Sequence, residues 1–148
     1  MKQTIERRIR TFTLLLAAAL FGLRAAAGQP EKPFKGVFFC KEANISLTLD
    51  AYEESLEAPS LSFLGKTKGF LSGAGVYGIW IVTDCTAKGN TATIRLSNDT
   101  GADAQTVRLT LQNDSTYRYK AVGGNAVRRA QGRKLVKIAD EMAFRRIR

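Results

Sequence analysis

The sequence has no histidine among its 148 residues, and it has only two cysteines and one tryptophan. The absence of histidine excludes Ser-His and Cys-His nucleophilic centres and histidine-ligated zinc sites. No apolar run reaches the roughly 20 residues that a membrane-spanning helix needs, so we expect no transmembrane segment after removal of a leader. These absences predict a protein without cofactor or metal and favour binding over catalysis.

The first 27 residues show the three parts of an export signal. A basic start is followed by twelve apolar residues, 12–23, and then by three alanines, 25–27, that precede Gly28. The cations of the basic start are Lys2, Arg7, Arg8 and Arg10. The pattern predicts a signal peptide over residues 1–27 and a periplasmic or secreted protein. A lipid anchor would need a cysteine at the cleavage point, and the first one, Cys40, lies well downstream, so we expect none.

Residues 28–148 are enough for one domain with one modest core. Alternation of apolar and polar residues with period two dominates this part of the chain and is typical of half-buried antiparallel strands. The clearest alternating stretches are residues 44–50, 91–96 and 106–112. Residues 76–82 are apolar on both faces and predict the most buried strand. We therefore expect an all-β domain, a small antiparallel barrel or sandwich of about eight to ten short strands.

Two turns fix the expected register of the middle strands. A two-residue turn at Gly89-Asn90 sets Cys85 opposite Ile94 and Thr83 opposite Leu96. A three-residue turn over residues 113–115 sets Leu111 beside Tyr117 and Leu109 beside Tyr119. The last fifteen residues fit either a helix face or two short strands with a turn at Asp140, and we favour the strands.

The two cysteines of an exported chain predict a disulfide between Cys40 and Cys85. It would close a loop of about 45 residues and contribute roughly 4 kcal/mol by the chain-entropy model. A free reactive thiol is the alternative, but it needs a neighbouring base and the sequence has no histidine.

Without histidine, a pair of carboxylates is the only common arrangement left for acid–base catalysis, and such residues follow the first alternating stretch. Asp50, Glu53, Glu54 and Glu57 lie close together in sequence, and two of them would suffice for a glycosidase-like hydrolase. Nothing in their spacing requires such a site, and acids that follow a strand are usually solvated. We rank this hypothesis last.

The glycine-rich segment 58–75 and the residues after it form the first candidate binding site. Long loops in compact domains are often functional, although the same residues would equally suit a short twisted strand that closes a barrel. The candidate ligand-binding residues are Phe63, Lys66, Lys68, Phe70, Ser72 and Tyr77. Aromatic rings would provide contact area, and the lysines would meet an anionic group.

Part of this segment resembles a known family. Ser72-Gly73 followed by Tyr77, with Trp80 in the apolar run behind it, is similar to the Ser-Gly-x-x-Tyr motif of periplasmic inhibitors of c-type lysozymes. The resemblance covers about nine residues and has one extra residue before Tyr77. It implies a small exported β-barrel in which Ser72 and Tyr77 contact lysozyme. The whole chain otherwise resembles small secreted proteins of Gram-negative bacteria.

The second candidate site is the basic end of the chain. From Arg118 to Arg148 there are ten cations and two acids, and such an end suits an anionic surface, although a merely solvated face would look the same. We name Arg128, Arg129 and Arg133 as its anion-binding residues. The hypotheses are thus a binding protein with a protein or envelope-glycan ligand and, alternatively, an envelope-associated or adhesion protein that binds anionic polysaccharide or lipopolysaccharide. Neither involves nucleic acid, and the sequence does not fix an oligomeric state.

Overall fold

Ten strands make up almost all of the regular structure in the computed structural model, which describes residues 31–148. The strands are β1 (Lys35–Cys40), β2 (Ile45–Asp50), β3 (Gly69–Gly73), β4 (Trp80–Lys88), β5 (Thr91–Asn98), β6 (Ala104–Asn113), β7 (Thr116–Gly124), β8 (Arg128–Gln131), β9 (Lys134–Lys137) and β10 (Glu141–Arg146). One 3-10 turn, Ser62–Leu64, lies between β2 and β3. The predicted signal peptide lies outside the described residues.

Eight of these strands close into a barrel in the order β1-β10-β7-β6-β5-β4-β3-β2, and β8 and β9 form a separate hairpin. All of the barrel pairs are antiparallel. Lys32–Arg148 form one compact unit. The predicted all-β class and strand number are confirmed, and the architecture is the barrel rather than the sandwich. Closure leaves none of the eight strands with an unpaired edge.

The barrel interior is filled by the side chains that the period-two patterns predicted to be buried. Ile45, Leu47 and Leu49 of β2 are fully buried. The corresponding residues of β5 and β6 are Ala92, Ile94, Leu96, Val107, Leu109 and Leu111. The rings of Phe38 and Tyr117 meet edge to face with centroids 4.7 Å apart. An eight-stranded barrel has an interior just wide enough for such side chains to fill.

The register of the middle strands follows the predicted turns, with two corrections. Ile94 lies opposite Cys85, as the turn at Gly89-Asn90 requires, but Leu96 lies opposite Val82 rather than Thr83. An irregularity between Val82 and Asp84 shifts the pairing there, because a bulge puts an extra residue into one strand. In the next hairpin Leu111 pairs with Tyr117 and Leu109 with Tyr119, which confirms the predicted pairs. The three-residue turn is wrong, because Asn113 pairs with Thr116 across a two-residue turn and an irregularity between Leu111 and Asn113 restores the register.

The expected strand over residues 76–82 is shorter than predicted. β4 begins only at Trp80, and Tyr77 is 58% exposed in the connection before it. Gly75 and Gly78 have φ values of +72° and +76°, a conformation that glycine adopts readily and that breaks a strand. At the other end of the chain the strand alternative is confirmed, since residues 134–137 and 141–146 are β9 and β10.

The antiparallel order divides the connections between two ends of the barrel. We call the end with the β8–β9 hairpin the hairpin end; its connections are residues 41–44, 74–79, 99–103 and 125–140. We call the other the terminus end; it has residues 31–34, the long connection 51–68, the two tight turns of β4–β5 and β6–β7, and residues 147–148.

Candidate functional site

The β8–β9 hairpin is fastened to the connection between β3 and β4. The backbone N–H of Tyr77 donates to the carbonyl of Arg128 at 2.8 Å, and the N–H of Ala130 donates to the carbonyl of Gly75 at 2.7 Å. Val76 and Arg129 lie opposite each other as an isolated antiparallel bridge. The hairpin is therefore attached to the barrel by a short ladder as well as by its own chain ends.

Arg129 gives the hairpin a second attachment. Its guanidinium Nη2 donates to the carbonyl of Ala43 in the β1–β2 turn, and its Nε is buried without a hydrogen-bond partner among the described residues. At the base of the hairpin Val127 and Ile138 are buried in the core, and the N–H of Ile138 donates to the carbonyl of Val127 at 3.0 Å. These contacts close the barrel at this end, and they give Arg129 a structural role.

A pocket of about 280 Å³ lies beside the hairpin. It is lined by Tyr77, Trp80, Asp103, Asn125, Ala126, Arg128 and Leu135. The Tyr77 side chain is largely exposed, whereas Trp80 is buried and its indole Nε1–H donates to the carbonyl of Tyr77 at 3.3 Å. The pocket is thus built from three connections and the first residue of β4, and Trp80 holds its wall in place.

The polar side chains of the pocket are positioned by the β5–β6 connection and by the segment before β8. Asn98 accepts the backbone N–H of Asp103 at 3.2 Å, and Asn125 Oδ1 accepts the N–H of Ala104 at 3.4 Å. Arg128 is exposed and takes part in none of the ion pairs that the structure shows within residues 31–148. A guanidinium, a carboxylate and an amide therefore line one small cavity together with two aromatic residues.

The six candidate residues of the first sequence hypothesis do not form one site. Phe63 and Lys66 lie on the long connection at the terminus end, where Phe63 is 79% exposed. Lys68 also lies there, and its ammonium group donates to the carbonyl of Cys85 at 3.2 Å. Only Tyr77 lines the pocket at the hairpin end.

The other two residues of that hypothesis belong to β3. Phe70 lies opposite Ile81 and is half-buried, and Ser72 lies opposite Ser46. The segment from Phe63 to Tyr77 therefore runs along the barrel wall from one end to the other.

The three arginines of the second hypothesis have different surroundings. Arg128 lines the pocket, Arg129 attaches the hairpin to the β1–β2 turn, and Arg133 is exposed in the turn between β8 and β9. The structure thereby brings Tyr77 of the first hypothesis and Arg128 of the second into the same cavity. The sequence patterns did not indicate Asp103 or Asn125, because loop residues carry no periodic signal, and they did not indicate Leu135 of the short strand β9.

Asp50, the last residue of β2 and the first of the acidic residues 50–57, has a structural role. Asp50 is buried and lies 2.8 Å from the ammonium group of Lys35. It accepts hydrogen bonds from the Ser55 hydroxyl at 2.8 Å and from the backbone N–H groups of Tyr52 and Glu53 at 3.1 Å. Burial opposes ionisation, but the Lys35 ion pair and these hydrogen bonds outweigh it and lower the pKa of Asp50 to about 2.

The two cysteines are free and buried. Cys40 ends β1 at the hairpin end opposite Ile45, and its thiol lies 3.6 Å from a Glu42 carboxylate oxygen. Cys85 lies on β4, three strands away from β1 around the barrel wall, and no bond joins the two sulfurs. A disulfide needs Cα atoms within about 7 Å, and both cysteines are free, so the structure contradicts the predicted Cys40–Cys85 bond. Burial raises the pKa of both thiols, that of Cys85 to about 11.

Comparisons with protein-family models, with curated proteins and with solved structures give no match to this chain. Residues 31–148 include no helix long and apolar enough to cross a membrane. The same residues hold no group of three or more His, Cys, Asp or Glu side chains placed to share a metal ion.

Proposed function

We propose that the protein is an exported, non-catalytic binding protein that holds an acidic sugar unit of an envelope glycan in the pocket at the hairpin end. The observation that supports this most is the presence of Tyr77 and Arg128 in one cavity of about 280 Å³. The cavity has no nucleophile–base pair, and its residues suit recognition rather than bond breaking.

Each lining side chain has a role in such binding. The planar guanidinium of Arg128 forms paired hydrogen bonds to a carboxylate. The Asp103 carboxylate accepts hydrogen bonds from sugar hydroxyls, the Asn125 amide group donates to them, and Tyr77 offers an exposed ring surface. A volume near the lower limit for small-molecule sites suits one sugar unit at a chain end rather than a long segment.

Substitution of Arg128 tests this proposal. Arg128→Gln removes the guanidinium from the pocket, and a glucuronic acid-terminated oligosaccharide should bind about tenfold more weakly or not at all, since a hydrogen bond to a charged group contributes roughly 1.5–3 kcal/mol. Titration calorimetry measures the effect. Arg133→Gln is the matched control, because it removes the same charge from the same hairpin outside the pocket.

Two results would contradict the pocket assignment. One is an equal loss of affinity in Arg128→Gln and Arg133→Gln, and the other is equal affinity of the wild type for the neutral oligosaccharide of the same length. Salt gives a further test, because contacts inside a pocket weaken less with ionic strength than attraction to an exposed charged surface.

Inhibition of a c-type lysozyme is a second candidate function. The resemblance of residues 72–80 to the inhibitor motif supports it, as does the exposure of Tyr77 at the hairpin end. Tyr77→Ala should then abolish inhibition, and Phe63→Ala, an exposed aromatic at the opposite end, should not. Absence of inhibition by micromolar wild-type protein would remove this candidate.

A further inference from the structure

The outer face of four neighbouring strands carries arginines in a regular arrangement. β5, β6, β7 and β10 are consecutive around the barrel wall, and each presents one exposed arginine on its outward face. These are Arg95, Arg108, Arg118 and Arg145, which we call the arginine diagonal. None of the four belongs to the pocket at the hairpin end.

The strand register places the four arginines on one line. Arg95 lies opposite Thr106, two residues before Arg108 on β6. Arg108 lies opposite Lys120, and Arg118 is two residues from Lys120 towards the terminus end. The same step leads from β7 to β10, because Arg118 lies opposite Ala143, two residues before Arg145.

Each step therefore crosses one strand and moves two residues in the same direction. Diagonal neighbours of this kind are roughly 7–8 Å apart, so three steps span roughly 20–25 Å. The arrangement is an evenly spaced row of cations and not a compact cluster.

Little negative charge neutralises this row. Arg95, Arg108 and Arg145 take part in none of the ion pairs found within residues 31–148, although the exposed Asp84 of β4 lies opposite Arg95. Glu141 lies 2.8 Å from Arg118 and 3.2 Å from Lys120, so one carboxylate is shared by two cations. Lys120 also lies directly opposite Arg108, and like charges in that position destabilise a sheet. An external anion would relieve this repulsion.

The flanking side chains indicate which anion fits. Hydroxyl groups of Thr93, Thr106 and Thr110 lie among the cations. The outward positions of these four strands hold no aromatic ring, and the one ring beside the row within residues 31–148 is the half-buried Phe39 of β1, opposite Arg145. Single-stranded nucleic acids are bound by aromatic stacking platforms as well as by charge, and protein partners need an apolar centre. A linear polysaccharide with regularly spaced carboxylates or sulfates matches both the guanidinium forks and the hydroxyl groups.

We propose that the arginine diagonal is a binding surface for an extended anionic polysaccharide, separate from the pocket at the hairpin end. Its residues do not line the pocket, so this proposal does not depend on the pocket binding a sugar. The row runs across the strands, and the polysaccharide chain would follow it from β5 to β10.

Heparin and polygalacturonate serve as test polymers for a variant in which Arg95, Arg108 and Arg145 are all changed to Gln. The matched control changes Lys41, Lys66 and Lys88 to Gln; these cations are also exposed, are free of the ion pairs seen in residues 31–148, and give the same change in net charge. We expect the diagonal variant to bind about tenfold more weakly at low salt and to elute from heparin earlier. The control variant should behave like the wild type.

The outcomes decide the proposal. Equal weakening in both triple variants would show attraction by net charge and overturn it, as would unchanged binding in the diagonal variant. Stronger binding of a single-stranded oligonucleotide that depends on the same arginines would overturn the polysaccharide assignment. If the triple variant folds poorly, the single variant Arg108→Gln replaces it, and its thermal midpoint shows whether it is folded. We expect this variant to lose less affinity for the polymers than the triple variant. Arg128→Gln, which changes only the pocket, should leave heparin elution unchanged. The two proposals can therefore be rejected separately.

Discussion

Asp50 is the residue whose burial contributes most clearly to pH-dependent stability. Its carboxylate is almost inaccessible to solvent, pairs with Lys35 and accepts three further hydrogen bonds from the chain that follows β2. The carboxylate thereby fixes the start of the long connection 51–68. This role differs from the acid–base chemistry that the run of acidic residues suggested, and it was not readable from spacing, because Lys35 lies on another strand.

The lowered pKa of Asp50 determines the sign of the pH effect. A carboxyl with a pKa of about 2 in the folded state and an ordinary value in the unfolded state stabilises the fold above about pH 4, and this stabilisation is lost as the pH falls towards 2. Allowing for the partly exposed Lys35, we expect it to amount to roughly 1–2 kcal/mol. Asp50→Asn should lower the urea midpoint at pH 7 and flatten its fall between pH 4 and 2. The exposed Glu54→Gln is the control, and a pH profile of Asp50→Asn parallel to that of the wild type would contradict the assignment.

The individual strands show where sequence patterns suffice. Strands β2, β5 and β6 alternate regularly, and their buried faces follow directly from that alternation. The prediction of one strand over residues 76–82 was wrong because the apolar side chains of this stretch lie in different environments. Trp80 and Val82 enter the barrel core, and Ile81 is buried on the other face opposite Phe70. Val76 packs against the core from the connection before β4, and Tyr77 is exposed. Hydropathy does not distinguish these environments, and Gly75 and Gly78 were the local sign of the break.

The β8–β9 hairpin depends on contacts that are distant in sequence. We expect Arg129→Ala to loosen it, because the substitution removes the guanidinium hydrogen bond to Ala43 and costs about 1–2 kcal/mol. Hydrogen exchange should accelerate at the amides of Tyr77 and Ala130, which bond across the hairpin ladder, while the amides of β5 and β6 stay protected. Arg133→Ala is the control in the hairpin turn. Unchanged exchange at those two amides would show that Arg129 does not attach the hairpin.

For the whole molecule, the strand order is the step that the sequence does not supply. Local turns give the β4–β5 and β6–β7 pairs, but the pairing of β1 with β10 joins residues about a hundred positions apart. Both candidate surfaces depend on that closure. The pocket needs the hairpin to lie against residues 74–79, and the arginine diagonal needs the register of four strands at once. The structure places the two ends of the expected binding segment, residues 63–77, at opposite ends of the barrel, because the segment includes the wall strand β3.

Barrel closure also decides the behaviour of the cysteines. Cys40 and Cys85 are both buried, are 1% and 4% exposed, and lie on strands that are not neighbours in the barrel. Burial raises the pKa of each thiol, so little thiolate forms at pH 7, and reagents reach the sulfurs only after the barrel opens. Alkylation of the native protein should therefore be slow and should accelerate through the same denaturant range as the loss of near-ultraviolet circular dichroism. Two thiols should be modified after unfolding without reductant. A disulfide over this loop would contribute roughly 4 kcal/mol, so a thermal midpoint that falls clearly on addition of dithiothreitol would contradict the free thiols, and an unchanged midpoint supports a barrel that is stable through its packed core alone.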